Sequence, residues 1–117
     1  MTDCIFCKII QGEIPSKKAF EDDLVYAFHD IHPLRPTHLL VIPKRHIASL
    51  AEVGAEDEPV LGRMLSVAHR LAKEHGSPNG FRSIINTGLV GGQEVAHLHL
   101  HILGDTKPVG VMVTQPT

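Results

Sequence analysis

The sequence lacks any surplus of positive charge: eleven lysines and arginines stand against thirteen aspartates and glutamates, a formal net charge of −2. Binding along a nucleic-acid backbone calls for a basic stripe, so a DNA or RNA polymer is not an expected partner. Also missing is any apolar run near the ~18 residues of a membrane span, and MTDCIFCKII has no basic stretch leading into an apolar one. No membrane association and a cytoplasmic location are therefore expected. Cysteine occurs only twice, as Cys4 and Cys7, and in a reducing compartment C-x-x-C suits a metal or redox pair better than a structural disulfide. There is no internal repeat and no low-complexity tract. What is there is 43% hydrophobic, enough for one core, and the expectation is a single domain over residues 1–117 with a C-terminal tail over 106–117.

Periodicity outlines the elements. Cys4 to Ile10 is apolar on one side and ends at Gln11-Gly12, which fits a short N-terminal helix. Lys18 to Glu21, the turn Asp22-Asp23 and Leu24 to Phe28 read as a hairpin, and the branched run His38 to Pro43 as a buried strand. Two prolines make His32 to Pro36 a rigid loop. From Glu56 to His75 the apolar period becomes 3.6, with Val60, Leu61, Met64, Leu65, Ala68, Leu71 and Ala72 on one stripe. Acidic residues and Pro59 suit its start and Gly76 its left-handed end. Phe81 to Thr87 and Ala96 to Leu103 complete about five strands, with the loop Gly88 to Gln93 between them. Strands, one long helix and strands again predict an α+β fold with an antiparallel sheet.

The last strand reads Ala96-His97-Leu98-His99-Leu100-His101-Ile102-Leu103. Alternation puts His97, His99 and His101 on one face, ~6.6 Å apart, with Leu98, Leu100 and Ile102 on the other. One buried histidine is ordinary; three in register ask for a function. A neutral imidazole can ligate a metal, take a proton or attack an electrophile at pH 7. The preceding Gly88-Leu89-Val90-Gly91-Gly92-Gln93 has adjacent glycines, which let backbone N–H groups approach an anion closely. Alone, such a pair is more often a plain turn. Beside three histidines it points to phosphate chemistry.

The string His97-Leu98-His99-Leu100-His101-Ile102-Leu103 fills the pattern H-φ-H-φ-H-φ-φ, with φ apolar, and the chain thereby resembles the histidine-triad (HIT) family. Ile5-Phe6-Cys7-Lys8-Ile9-Ile10, Phe28-His29-Asp30-Ile31, Pro36-Thr37-His38, Ile42-Pro43-Lys44 and Gly91-Gly92-Gln93-Glu94-Val95 are similar to segments of its Hint branch, the purine nucleoside phosphoramidases. The resemblance implies a HIT-like fold and hydrolysis of the P–N bond of purine nucleoside phosphoramidates through a nucleotidyl-histidine on His99, with no cofactor required for catalysis. It implies His101 on a non-bridging phosphate oxygen and His38 orienting or polarising the nucleophilic ring. Gln93 and N–H groups near Glu94 and Val95 would stabilise charge. Ile5, Phe6, Phe28 and Ile31 would wall a base slot, Asp30 would accept the ribose hydroxyls, and Asn86 and Gly92 would lie near the phosphate. Read without the likeness, Phe28 and Ile31 are ordinary core residues and Asp30 a loop cap.

Cys4-x-x-Cys7 with distant His46 and His97 makes the four ligands that a closed tetrahedral structural zinc needs, and many bacterial members similar to this chain carry such a site. Reduced thiols, with His46 capping a turn, are the alternative. A thioredoxin-like role does not fit, because there C-x-x-C opens a helix after a βα unit. His29, His32, His69 and His75 are expected on the surface or in loops. The likeness also implies a homodimer in which one copy's C-terminal segment, here Pro108 to Met112, approaches the other's site. Ala96 stands where members often have an aromatic residue, and Glu94 replaces the serine of animal relatives, so the leaving-group pocket does not follow from the resemblance. Rival readings are a hydrolase of dinucleoside polyphosphates or adenylylated adducts, a non-catalytic nucleotide-binding scaffold, and a metal-handling protein.

Overall fold

A computed structural model describes residues 3–112. Cys4 caps a short helix α1, Ile5–Ile10, by accepting at Sγ from the Cys7 N–H. The hairpin follows as β1, Lys18–Glu21, and β2, Val25–His29, turned by Asp22, whose Oδ1 accepts from the N–H groups of Leu24 and Val25. Strand β3, Thr37–Pro43, is buried throughout. Two single-turn 3-10 segments, Leu50–Glu52 and Ala55–Asp57, lead into the long helix α2, Glu58–Glu74. Pro59 stands in its first turn, and its end closes at Gly76, φ +107°, where Ser77 N–H reaches back to the Ala72 carbonyl. Strand β4, Arg82–Ile84, one helical turn α3, Gly88–Gly91, and strand β5, Leu100–Gly104, complete the chain as far as it is described. Of the tail expected over 106–117, residues 113–117 lie outside the described residues.

The five strands form one antiparallel sheet in the order β1-β2-β3-β5-β4, an α+β arrangement as the patterning predicts. One face, carrying Val25, Ala27, Leu39, Val41, Leu100 and Ile102, packs on α2. The stripe of α2 differs from expectation at one point: Val67 is buried, while Leu65 turns outward and is 56% exposed. The buried set Val60, Met64, Val67, Ala68, Leu71 and Ala72 follows an i, i+4, i+7, i+8 spacing, and Leu65 lies off that stripe. A fully buried leucine such as Leu71 is worth about 2–5 kcal/mol against alanine. The other face carries Tyr26, Phe28, Leu40 and Ile42 and receives Phe6 from α1. His38 and His101 share that face by alternation with Leu40 and Leu103.

The histidine strand is shorter than the sequence pattern predicts. Only His101 of the three lies in β5; His97 sits in a bend and His99 in irregular chain before the strand. The pairing Val41↔Leu100, carried two residues further, sets Pro43 opposite Leu98. Proline has no N–H to offer the ladder, and its carbonyl is 2.9 Å from His97 Nε2. Leu98 instead donates to the Ile47 carbonyl at 2.7 Å, and His97 N–H to Val95 O at 2.8 Å. Strand β4 ends at Ile84 rather than running to Thr87; on its register Asn86 and Thr87 would face His99 and Leu98, which lie outside β5.

Candidate functional site

The shortened strand divides the three histidines between two groups at opposite ends of β3. Near Pro43, the His97 ring is fully buried and lies 4.9 Å, edge-on, from the His46 ring. Near His38, the His99 and His101 rings are 5.0 Å apart and the His38 and His101 rings 5.2 Å. Phe6 stands between the groups, edge-on to His97 at 5.8 Å and to His99 at 5.3 Å.

Backbone partners fix the tautomer of each ring, because a carbonyl can only accept and an N–H can only donate. His99 Nδ1 is 2.7 Å from the His97 carbonyl and therefore carries the proton, which leaves a lone pair on Nε2. His38 Nδ1 accepts from Leu34 N–H at 3.0 Å, so its Nε2 is the protonated nitrogen. That N–H faces His101 Nδ1 at 3.0 Å and Asp30 Oδ2 at 3.4 Å, and the nearer imidazole is its acceptor. His101 is thereby left with Nε2–H as a donor. Burial pushes His101 down to about 4, with the charges of His99 and His38 adding to it and Asp30 opposing, so it is neutral at pH 7. Burial also lowers His38 against the pull of Asp30, so their contact is a neutral N–H beside a carboxylate and not an ion pair. The site thus offers a bare imidazole nitrogen beside an imidazole N–H donor.

The glycine segment supplies the rest. Gly92, φ +76°, ends the turn α3 in the left-handed region. The Gln93 side chain is committed to the loop: its amide donates to Ala48 O at 2.7 Å and Val95 O at 2.8 Å, and its Oε1 accepts from Gly88 N–H. No backbone carbonyl among the described residues accepts from the N–H groups of Glu94, Val95 or Ala96. Of the remaining candidates, Phe6 and Phe28 are buried and in edge contact at 5.5 Å, and Val95 packs against the same cluster. Asp30 bonds the His32 N–H through Oδ1 while Oδ2 faces His38, so it caps its loop and fronts the histidines together. Asn86 is half-buried against Gly91, Glu94 is exposed, and Ile31 and Ile5 are 83% and 47% exposed.

Cys4, Cys7, His46 and His97 bring one ligand atom each within 4.8 Å of one another. His97 donates Nε2–H to Pro43, so the nitrogen turned to the thiols is its bare Nδ1. Burial pushes His97 down to about 4 and keeps it neutral. Donor separations are 3.2 Å for Cys4 Sγ to His97 Nδ1, 3.4 Å for Cys7 Sγ to His46 Nδ1 and 3.6 Å for Cys7 Sγ to His97 Nδ1. A tetrahedral ion at ordinary Zn–S and Zn–N lengths sets such neighbours ~3.6 Å apart. The cluster is compatible with a metal site, and His46 faces Cys7 rather than capping a turn. Burial, then the Cys4 side chain, push the Cys7 thiol up to about 11, so a metal must displace its proton. Asp30, His38 and His101 are equally close, but the proton on His38 Nε2 points into that group and argues against a cation there.

Sequence patterning did not expose the backbone groups that set these tautomers, the carbonyls of Pro43 and His97 and the N–H of Leu34, because backbone carries no residue signal. It also missed a pair assigned to the surface: His29 and His75 lie edge-on at 4.9 Å, half-buried, and burial with the His75 charge lowers His29. The segment after β5 is held by arginines. Arg35 donates twice to Val109 O, and Arg82 donates to Gly110 O and Val111 O. No helix among the described residues is long and apolar enough to cross a membrane.

A family model described as the HIT domain matches residues 11–107. The chain is 50% identical over 104 residues to protein HitA of Neisseria gonorrhoeae, covering 89% of this chain and 97% of that protein. It is 49% identical over 112 residues to the purine nucleoside phosphoramidase of Escherichia coli K12, covering 95% and 93%. Among solved structures, a HIT family hydrolase from Legionella pneumophila superposes with TM-score 0.85 at 47% identity, covering 92% of this chain and all of that one. A histidine triad protein from Clostridium difficile does so with TM-score 0.85 at 48% identity, covering 92% and 95%. With the sheet order, the paired histidines and these likenesses in agreement, the chain belongs to the HIT domain family.

Proposed function

We propose that the protein hydrolyses purine nucleoside 5′-phosphoramidates to the nucleoside monophosphate and an amine. The observation that carries this is the tautomer of His99, whose Nδ1–H is spent on the His97 carbonyl and whose Nε2 lone pair is available for attack. Nε2 attacks the α-phosphorus, the P–N bond breaks, and the amine leaves with a proton taken from solvent, which the attacking water later returns. Water then attacks the nucleotidyl-histidine, the P–Nε2 bond breaks, and the monophosphate is released. His101 Nε2–H donates to a non-bridging oxygen and is held for that by the chain Leu34 N–H, His38, His101. The open N–H groups of Glu94 and Val95 face the same charge, while Gln93 fixes the loop that carries them. Phe6 and Phe28 receive the base with Ile5 and Ile31 at its rim, Asp30 takes the ribose hydroxyls, and Asn86 and Gly92 lie beside the phosphate. The 49% identity to a protein named purine nucleoside phosphoramidase supports this substrate class.

In the same reading residues 1–117 are one HIT domain of the cytoplasm. Cys4, Cys7, His46 and His97 hold a structural zinc, which when bound supplies a fold cross-link and no chemistry at phosphorus. Two copies associate, with Pro108–Met112 of one reaching the site of the other, a role for which the exposed Val111 and Met112 are suited. Sedimentation tests that part. Turnover of adenosine 5′-phosphoramidate, compared with that of diadenosine polyphosphates, tests the activity. Faster release of AMP from the phosphoramidate is expected, with an AMP adduct on His99 after rapid quenching. Preference for the polyphosphate, or binding of AMP with no turnover of either, contradicts it.

A further inference from the structure

We propose that the Cys4–Cys7–His46–His97 cluster is a positioning device for the nucleophile, so that metal occupancy sets the tautomer and aim of His99. This rests on the reading of His99 as nucleophile given above. Three observations carry it. Residues 95–99 lie outside the sheet, so no strand ladder fixes their backbone; Gln93 Nε2–H on Val95 O, the turn bond of His97 to Val95, Leu98 N–H on Ile47 O and the buried Leu98 side chain hold parts of it, and the His97 ring holds the bend between them. That ring is fixed between Pro43 O and the two thiols, while the carbonyl of the same residue accepts the His99 Nδ1–H at 2.7 Å. Phe6 lies between Cys4 and Cys7 in sequence and touches both rings from α1, a six-residue helix too short to be stable by itself.

A cavity of about 460 Å³ lies beside this arrangement, lined by Cys4, His46, Val95 and Ala96 among others. It leaves the bend room to shift once its ligands let go. A bound metal closes four side chains from three segments on one point, and the bend is then held where the His97 carbonyl meets the His99 ring. His97 is thereby a positioning residue and Phe6 its second link.

The test compares the full chain loaded with one equivalent of zinc and the same chain stripped by a chelator. One readout needs no substrate: the imidazole Nδ1–H resonance of His99. The other is the rate of adduct formation from adenosine 5′-phosphoramidate beside the affinity for AMP. Loaded protein is expected to give a sharp, exchange-protected resonance. Stripping should broaden it and slow adduct formation ~10–100-fold, the usual reach of groups that orient a site residue, with AMP affinity unchanged and zinc restoring both. His46→Ala removes the exposed ligand and leaves the three others, so resonance intensity should track zinc content even if the stripped chain unfolds. A resonance and an adduct rate indifferent to zinc content overturn the proposal. A resonance that follows zinc with no adduct under any condition supports the positioning and removes the nucleophile reading instead.

Discussion

At one end of β3, His97 donates Nε2–H to Pro43 and turns a bare Nδ1 toward two thiols; at the other, His38 accepts at Nδ1 from Leu34 and turns Nε2–H toward His101. Both rings are buried, and burial lowers the pKa of both. They differ in which nitrogen the backbone has claimed. A ring that spends its proton on a carbonyl becomes a ligand, and a ring that receives a backbone N–H becomes a donor at its far edge. His99 follows His97 in this respect, and its ring lies 5.0 Å from that of His101. One residue type thus stands in three settings: a bare nitrogen beside two thiols at His97, a donor relay at His38 and His101, and at His99 the nitrogen proposed to attack phosphorus.

The comparison breaks most severely at His99, the proposed nucleophile. His99→Ala is expected to lower turnover at least ~10³-fold while metal content and melting temperature stay near those of the parent; metal loss in this variant would show that the two groups are not separable. His38→Ala removes the donor that sets the His101 tautomer and should lower kcat by ~10²-fold with KM little changed, measured by steady-state kinetics. An effect confined to KM would place His38 in binding instead. Cys7→Ser acts first on the other group: zinc affinity measured by competition should fall ~10-fold or more, with AMP affinity retained. Equal zinc affinity in parent and variant would remove Cys7 from the cluster.

The smallest effect is one of pH on stability. His101 titrates near 6.5 when unfolded and at about 4 in the fold, because burial disfavours its charged form. Between those values the unfolded chain binds a proton that the folded chain refuses, so stability is fully present above about 6.5 and is lost as pH falls toward 4. His38 is shifted in the same direction. Melting temperatures from circular dichroism should decline over that window, and His101→Gln should make the decline shallower. A parent curve flat from pH 7 to 4 contradicts the burial argument.

Much of the fold was legible because period and punctuation agree: a 3.6 stripe between Pro59 and Gly76, and alternating or continuous apolar runs bounded by Asp22-Asp23 and the prolines. The likeness in five separated segments named the candidate side chains, and the fold brings His38, His99 and His101 together in one group and Cys4, Cys7, His46 and His97 in another. The equal spacing of the ladder was misleading, since alternation describes a strand and, opposite Pro43, β5 begins only at Leu100, after His99. The sequence shows three like histidines; the division of labour among them comes from backbone carbonyls and an N–H in other segments, which no residue letter announces. Val67 and Leu65 make the same point on α2, where a stripe drawn by hydrophobicity alone took the wrong neighbour.

The central claim is that His99 presents Nε2, and not Nδ1, to phosphorus. The direct measurement is the linkage in the AMP adduct, formed from adenosine 5′-phosphoramidate, quenched within the first turnover in alkaline denaturant and resolved by phosphorus–nitrogen coupling in NMR. A bond from phosphorus to Nε2 of His99 is predicted; a bond to its Nδ1, or an adduct on His101 or His38, contradicts the account.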